Sequence, residues 1–206
     1  ASPHALALAR RRRLTRLALA GVERLPFREG AFDLMTSADV LYHRGVRDDL
    51  AALREAARCL RPGGILVLNL PAFDWLRSSH DEVIHTARRY TAGEVRAKLC
   101  AAGLTPLRVR YWNSLLFPPL AAVRLLRRIA RTGGGPPPEH SDLSALPRWL
   151  NGMLAALLRI EEALDFVAWP AGLSVMAVAR KDGGPARVAA TPHAPPSEAC
   201  KGRGRR

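Results

Sequence analysis

Few aromatic residues, few cysteines and no long apolar segment limit what this chain of 206 residues can be. Aromatic residues make up 6% of the sequence, so aliphatic residues and alanine must fill most of a core. The three cysteines, Cys59, Cys100 and Cys200, include no pair at metal-ligand spacing, which argues against a metal site. The longest apolar runs are about half a bilayer span, so we predict no transmembrane helix. The sparse cysteines favour a reducing, cytoplasmic location.

Acidic residues are also in short supply. The sequence has 18 Asp and Glu against 32 Lys and Arg, a net charge of +14. Such a charge is typical of proteins that bind nucleic acid or an anionic membrane surface. Here the basic residues are scattered among many alanines, glycines and prolines, which favours a general compositional bias. We therefore expect no nucleic-acid partner, and peripheral membrane contact stays open as an alternative. The oligomeric state is not indicated.

Helical and extended patterns alternate along the first 70 residues. An Ala/Leu/Arg-rich stretch predicts a helix at residues 3–13, and short apolar runs predict strands at Leu17–Val22 and Phe32–Ser37. Apolar residues at helical spacing predict a helix over Asp48–Leu60, ended by Pro62-Gly63-Gly64. The nearly all-apolar Ile65–Leu70 is typical of a strand buried on both faces. This order predicts a layered α/β fold.

The rest of the chain continues the alternation around an insert. Thr91 and Glu94 have capping-box spacing and open a helix that Gly103 ends. Two further strands are predicted at Leu107–Trp112 and Leu173–Arg180. Two helices of the insert are predicted between them, at Pro118–Arg131 and Leu146–Phe166. We interpret residues 1–181 as one domain, with 113–172 as a helical insert, and residues 182–206 as a disordered basic tail.

Four short motifs occur in order over about 45 residues. They are Glu23–Phe27 (ERLPF), Ala31–Leu34 (AFDL), Asp39–His43 (DVLYH) and Leu60–Gly64 (LRPGG). In this order and spacing the sequence resembles the type 11 group of class I S-adenosylmethionine-dependent methyltransferases. The resemblance implies a Rossmann-like sheet of seven strands in the order 3-2-1-4-5-7-6, the last strand antiparallel. On that scheme Leu17–Val22 is strand 3, and the next four predicted strands are 4, 5, 6 and 7.

The resemblance also implies a site for S-adenosylmethionine. The loop after strand 3 cups the adenine and matches Gly21 and Val22. Because Gly21 lacks the usual carboxylate, Glu23 is a candidate substitute, with Leu25 near the adenine edge. Ser37 and Ala38, at the end of strand 4, face the methionine part of the cofactor. His43 is either a wall of the methyl-transfer pocket or a histidine that hydrogen-bonds backbone at a helix start.

Two elements expected of that family are missing from the 206 residues. The sequence contains no Gly-x-Gly-x-Gly loop after a first strand and no acidic residue after a second strand to hold the ribose. The residues that come closest to the cofactor are then absent. We interpret the sequence as a fragment that lacks strands 1 and 2 and expect it to be inactive alone. The remaining strands should then form a sheet in the order 4-5-7-6, and Leu17–Val22 should either pair beside strand 4 or stay unpaired.

Methyl transfer from a sulfonium is a direct displacement, in which alignment supplies most of the catalysis. If the acceptor needs a base, the candidates are His43, His80 and Asp81, with His85 and Tyr90 nearby. The plainer alternative is that these residues cap the helix at Thr91 or pair with neighbouring arginines. We expect methyl transfer to a small-molecule or lipid-like acceptor. A non-catalytic remnant and a basic membrane-surface or nucleic-acid-binding protein are the alternatives.

Overall fold

Four strands form one twisted sheet at the centre of the molecule. The computed structural model describes residues 2–77, 81–82, 85–130, 147–164 and 166–183. The strands are β1 (Phe32–Ala38), β2 (Leu60–Pro71), β3 (Leu104–Trp112) and β4 (Ser174–Lys181). Their spatial order is β1-β2-β4-β3, with β1 parallel to β2 and β4 antiparallel to both β2 and β3. The predicted order 4-5-7-6, with an antiparallel last strand, is confirmed.

Five helices accompany the sheet in the part of the chain that the structure describes. They are α1 (Pro3–Arg11), α2 (Asp49–Cys59), α3 (Ala92–Ala101), α4 (Phe117–Ala130) and α5 (Arg148–Ala163). The Asp48 side chain caps α2 by accepting from the backbone N–H groups of Leu50 and Ala51. Thr91 and Glu94 form the predicted capping box at α3. No helix in these described ranges is both long enough and apolar enough to cross a bilayer.

The core lies on one face of the sheet. Side chains alternate between faces along a strand, so Leu66, Leu68 and Leu70 of β2 share a face and are all buried. They pack in one cluster with alternate residues of β4 and with Leu53 of α2 and Leu99 of α3. Each fully buried leucine contributes about 1.5–3 kcal/mol of transfer free energy. The opposite face is more open, and Leu34 there is 55% exposed.

Leu17–Val22 does not form the predicted strand and stays unpaired, the second of the two expected outcomes. That segment has no ladder, and its only pairing is an isolated bridge between Gly21 and Arg24. A run of six mostly apolar residues becomes a strand only if a neighbouring strand accepts its hydrogen bonds. Among the described residues no strand pairs with the outer edge of β1. Leu19 consequently remains about half exposed.

The helix that precedes β2 also ends differently from the prediction. α2 stops at Cys59 and β2 begins at Leu60, so Pro62-Gly63-Gly64 lies inside the strand. The pairing between β1 and β2 shifts register there. Gly63 has φ +79°, and a Cβ on Gly64 would lie 2.9 Å from the Arg61 carbonyl oxygen. The three residues therefore make a bulge that extends the sheet.

Three predictions fall wholly or mainly outside the described residues. The Gly/Pro linker at Thr132–Pro138 does so, as does all of the predicted tail beyond residue 183. His80 is a third. The insert between β3 and β4 is described for its two helices, α4 and α5, whose bounds differ from the predicted ones by one to three residues.

Glu55 of α2 stabilises the turn that follows Glu23 by accepting hydrogen bonds. Its carboxylate accepts from the Leu25 backbone N–H at 2.7 Å and from the Arg58 Nε at 2.8 Å. Arg58 also donates to the Phe27 carbonyl oxygen. The hydrogen bond from Arg58 lowers the pKa of Glu55 from 4.5 to about 2, burial opposes the shift, and the Leu25 N–H adds to it.

This pKa sets an expected pH dependence. A carboxylate whose folded-state pKa is depressed stabilises the fold above its unfolded-state pKa, and the stabilisation is lost as the pH falls. Glu55→Gln should therefore be less stable than the native chain at pH 7, and the difference should shrink between pH 4.5 and about 2. Urea unfolding of both proteins at several pH values measures this difference in the free energy of unfolding. Asp33→Asn, which breaks the exposed pair with Arg61, is the control and should change stability by less than about 0.5 kcal/mol. A Glu55→Gln difference that is constant with pH would contradict the assignment.

Candidate functional site

The carboxyl ends of three parallel strands meet at one edge of the sheet. β1 ends at Ala38, β2 at Pro71 and β3 at Trp112. Asp39 follows β1 in the left-handed region, φ +55°, and its N–H donates to the Asn69 carbonyl oxygen of β2. The Asn69 side-chain amide donates back to the Asp39 carboxylate at 3.3 Å. This pair fixes the end of β1 against β2. In open α/β sheets this edge is where ligands bind.

A pocket of about 690 Å³ opens at this edge. It is lined by Asn69, Arg110, Trp112, Asn113, Glu162 and Met176. Three of these residues lie side by side in the sheet, because Asn69 pairs with Met176 and Met176 pairs with Arg110. Ala38 continues the same row on β1, opposite Asn69. The sheet therefore places the pocket beside the end of β1, on the face opposite the core.

Arg110 is the cation of the pocket. Its guanidinium lies over the Trp112 ring, 4.8 Å from the ring centroid. Burial lowers the pKa of Arg110, and the nearby Arg108 lowers it further, whereas Glu161 raises it. The charged group is thus held in a place that favours an anionic neighbour.

A buried carboxylate, Glu161, joins helix α5 to the turn that follows β3. The two oxygens of Glu161 accept from the backbone N–H groups of Ser114 at 2.8 Å and Leu115 at 3.1 Å. Glu161 is almost fully buried. Gly172, which leads into β4, packs against the same turn so closely that a Cβ would lie 2.5 Å from the Trp112 carbonyl oxygen. These contacts position the turn after β3 and the pocket wall beside it.

Six of the seven residues predicted for the cofactor lie in two places, and the seventh, His43, lies in a later turn. Ser37 and Ala38 stand at the end of β1, where Ala38 is exposed. Gly21, Val22, Glu23 and Leu25 lie in the turn before β1. Glu23 accepts from the backbone N–H groups of Arg47 at 2.6 Å and Asp48 at 2.8 Å, just before α2. One of its oxygens is thus already engaged. A role toward adenine stays a prediction for all four residues of the turn.

His43 and His85 lie together, with ring centroids 5.8 Å apart. The Gly45 backbone N–H donates to His43 Nδ1 at 2.9 Å. His43 therefore hydrogen-bonds backbone, as its plainer interpretation expected, but it does so in a turn and not at the start of a helix. Both rings are exposed, and a catalytic role for His43 stays a prediction.

Asp81 is held in a buried ion pair. It is 1% exposed, and its two oxygens accept from Arg89 Nε and Nη2, each at 2.9 Å. Arg89 also donates to the Ala72 carbonyl oxygen. This geometry is that of a structural pair, which the sequence offered as the alternative to a catalytic base.

Tyr90 and Asp49 form a second buried polar cluster. The Tyr90 hydroxyl donates to Asp49 at 2.9 Å, and Lys98 of α3 donates to the same carboxylate at 2.7 Å. Burial raises the pKa of Asp49, but the hydrogen bonds from Lys98 and Tyr90 and the charge of Arg88 lower it below its usual range. Burial and Asp49 together raise the pKa of Tyr90. The cluster ties α2 to α3, and Tyr90 is a poor base at neutral pH.

The residues that line the pocket were not predicted from the sequence. Arg108 and Arg110 alternate with Val109 in β3, which places both arginines on one face, and Asn69 interrupts an apolar strand. Those two signals could have identified a polar site at the edge. Among the described residues no group of three or more His, Cys, Asp or Glu side chains could hold a metal ion.

Comparison with known proteins gives three kinds of match. Residues 1–68 match a family described as a methyltransferase domain. The chain is 30% identical over 131 residues to a malonyl-[acyl-carrier protein] O-methyltransferase of Geobacter sulfurreducens, covering 58% of this chain and 48% of that protein. It is 29% identical over 143 residues to a trans-aconitate 2-methyltransferase of Azoarcus sp., covering 66% of this chain and 52% of that protein. The chain thus spans about half the length of these relatives.

A solved structure agrees in fold. The S-adenosylmethionine-dependent methyltransferase from Mesorhizobium loti superposes with a TM-score of 0.52 at 16% identity, over 87% of this chain and 76% of that one. At this identity the match concerns the fold alone. The strand order found here agrees with that fold. Residues 1–68 match the methyltransferase domain family, and the described sheet has the Rossmann-like fold of class I S-adenosylmethionine-dependent methyltransferases.

Proposed function

We propose that this chain serves methyl transfer from S-adenosylmethionine to a small-molecule or lipid-like acceptor, and that the acceptor binds in the pocket beside β1. The observation that supports it is the cross-strand row Ala38, Asn69, Met176 and Arg110, which sets the pocket next to the predicted methionine end of the cofactor. The two relatives are named for a small acid and for an acyl group on a carrier protein, acceptors of this class.

The described residues fit only one end of the cofactor. When bound, S-adenosylmethionine supplies an electrophilic methyl group on a sulfonium. Ser37 and Ala38 lie at the end of β1, where Ala38 is exposed, which suits the methionine end. On the adenine side Gly21 offers no carboxylate, and Glu23 is engaged with two backbone N–H groups.

Cofactor affinity is the first test. We expect the 206-residue chain to bind S-adenosylmethionine only in the roughly millimolar range, about 4 kcal/mol of binding free energy, because it has no glycine-rich loop and no ribose acid. Isothermal titration calorimetry measures it. Ala38→Trp should abolish the residual binding, and Ala101→Trp, an exposed site at the end of α3, should leave it unchanged. Micromolar affinity would overturn this prediction.

Methyl transfer itself is tested with isotopically labelled cofactor and mixtures of small acids and lipids. Labelled product supports the proposal. Cofactor binding without product from any acceptor mixture would favour a non-catalytic remnant.

Peripheral membrane contact is a second candidate, because the insert helices expose large apolar side chains. Leu126 of α4 is 65% exposed and Trp149 of α5 is 72% exposed. An apolar helix face with nearby arginines suits an anionic lipid surface. Sedimentation with anionic and neutral vesicles tests it, and binding that is lost in Trp149→Ser would support it. Equal sedimentation with and without anionic vesicles would exclude it.

A further inference from the structure

We propose that helix α5 is the contact surface between two copies of this chain, which pair their α5 helices antiparallel about a two-fold axis. The inference concerns assembly and does not depend on methyl transfer. It rests on an exposed apolar face of α5, on the spacing of the residues along that face and on the sizes of their side chains.

The apolar surface of α5 is wider than the part that the rest of the molecule covers. One side of the helix carries the buried Glu161 and four half-buried leucines. The leucines are Leu150, Leu154, Leu157 and Leu164. Beside them lies a second apolar row, the α5 stripe, in which every side chain is exposed. Its members are Trp149, Met153, Ala156, Ile160 and Ala163. No other part of the described chain covers this row.

The members of the α5 stripe recur at intervals of four and three residues. At 3.6 residues per turn this spacing keeps all five within about 80° of the helix circumference. The same alternation marks the a and d positions of a coiled coil, where side chains of one helix pack into the spaces of a second helix. Met153 is 55% exposed and Ile160 is 52% exposed, so both are free to make such contacts. The spacing therefore favours another helix as the partner.

The side-chain sizes along the stripe match a second copy of the same helix. In an antiparallel pair with its two-fold axis near residues 154 and 155, Met153 lies opposite the partner's Ala156, and Trp149 lies opposite the partner's Ile160. The small alanine leaves room for the long methionine side chain at the centre of the contact. Because the axis is two-fold, each contact occurs twice, and one helix supplies both surfaces.

The charges around the stripe favour a protein partner over a membrane surface. The exposed ionisable residues of α5 whose side chains the structure describes are Arg159 and Glu162, which carry opposite charges. A helix that binds an anionic bilayer has an excess of Lys and Arg on its polar face. In the antiparallel pair Arg159 lies beside the partner's Gly152, which has no side chain, so no like charges oppose one another there.

Sedimentation velocity on the full chain tests the proposal. We expect the average mass to rise toward that of two chains between roughly 1 and 200 µM, because two single-helix faces form a small interface of moderate affinity. A chain that stays monomeric over this range would overturn the proposal. Binding of monomers to anionic vesicles, without dimers in solution, would also overturn it and would assign the stripe to a lipid surface.

Two adjacent alanines provide matched variants. Ala156→Lys introduces a charge inside the stripe and should weaken dimer formation by about tenfold or more, because the ammonium group would be buried against apolar side chains. Ala155→Lys makes the same change at an exposed position outside the stripe and should leave the dimer unchanged. Circular dichroism checks that both variants fold. Native dimer formation by Ala156→Lys, or equal loss in both variants, would overturn the proposal.

A mixture of two variants tests the direction of the pairing. Met153→Glu alone should also weaken the dimer, because it too places a charge in the stripe. Mixed with Ala156→Lys it should recover association, since the introduced carboxylate and ammonium groups lie opposite one another when the helices are antiparallel. In a parallel pair each residue meets its own copy, and the mixture gains no such contact. A mixture that associates no better than the separate variants would overturn the proposal.

Discussion

Asp81→Asn is expected to lower the free energy of unfolding by about 3–5 kcal/mol, because it leaves the buried Arg89 guanidinium without its carboxylate. Asp81 is 1% and Arg89 9% exposed, so little water can replace the lost partner. Arg89 would keep its hydrogen bond to the Ala72 carbonyl oxygen, which compensates only a small part of the charge. Urea unfolding at neutral pH, followed by circular dichroism, measures the change.

Two further variants complete that test. Glu82→Gln removes an exposed carboxylate next in sequence and should change stability by less than about 0.5 kcal/mol. Combining Asp81→Asn with Arg89→Gln should cost less than the sum of the two single changes, since the pair is coupled. If Asp81→Asn kept native stability and abolished methyl transfer, Asp81 would be a catalytic base and not a structural partner.

Gly172→Ala is expected to destabilise the protein by about 1–3 kcal/mol, because the added methyl group has no room. The new Cβ would lie 2.5 Å from the Trp112 carbonyl oxygen and 3.0 Å from the Trp112 nitrogen, and neither backbone atom can move without disturbing the end of β3. The same substitution should shift the indole N–H signal of Trp112 in NMR spectra, because Trp112 lines the pocket.

Gly152→Ala in α5 provides the opposite case. No atom lies within 4 Å of a Cβ placed there, and the residue is exposed inside a helix. Alanine at this site should stabilise the chain by about 0.5–1 kcal/mol, since glycine is a poor helix former. Thermal unfolding of the two variants side by side gives the comparison. A stabilised Gly172→Ala would show that the turn after β3 is not packed as described.

The sheet was largely predictable from sequence, because its strands are marked locally. The apolar run Ile65–Leu70 and the motifs around it specify β2 and its neighbour β1, and the capping box at Thr91 specifies the start of α3. The failure at Leu17–Val22 has a physical reason. Whether a short apolar run becomes a strand depends on a partner strand, which the run itself does not reveal.

The site was less predictable, because its polar residues act through partners that are distant in sequence. The sequence left Asp81 open as a candidate base or a partner of a neighbouring arginine, and only the structure shows that Arg89 donates to both of its oxygens. Glu161 sits in a helical sequence that could equally face solvent, and only the packed structure shows its bonds to Ser114 and Leu115. Arg110 could have been predicted as a pocket residue, because the alternation of side chains along a strand places it on a defined face of the sheet.

The position of β4 between β2 and β3 has a consequence for how the chain acquires its structure during synthesis. β1, α2 and β2 are contiguous and can assemble as soon as they are made. Among the described strands β3 pairs only with β4, which comes last of the four along the chain. Roughly 100 residues separate β2 from β4, about 5–20 s of translation at usual ribosome speeds. Over that interval one edge of the apolar strand β2 has no partner, and β3 has no sheet to join.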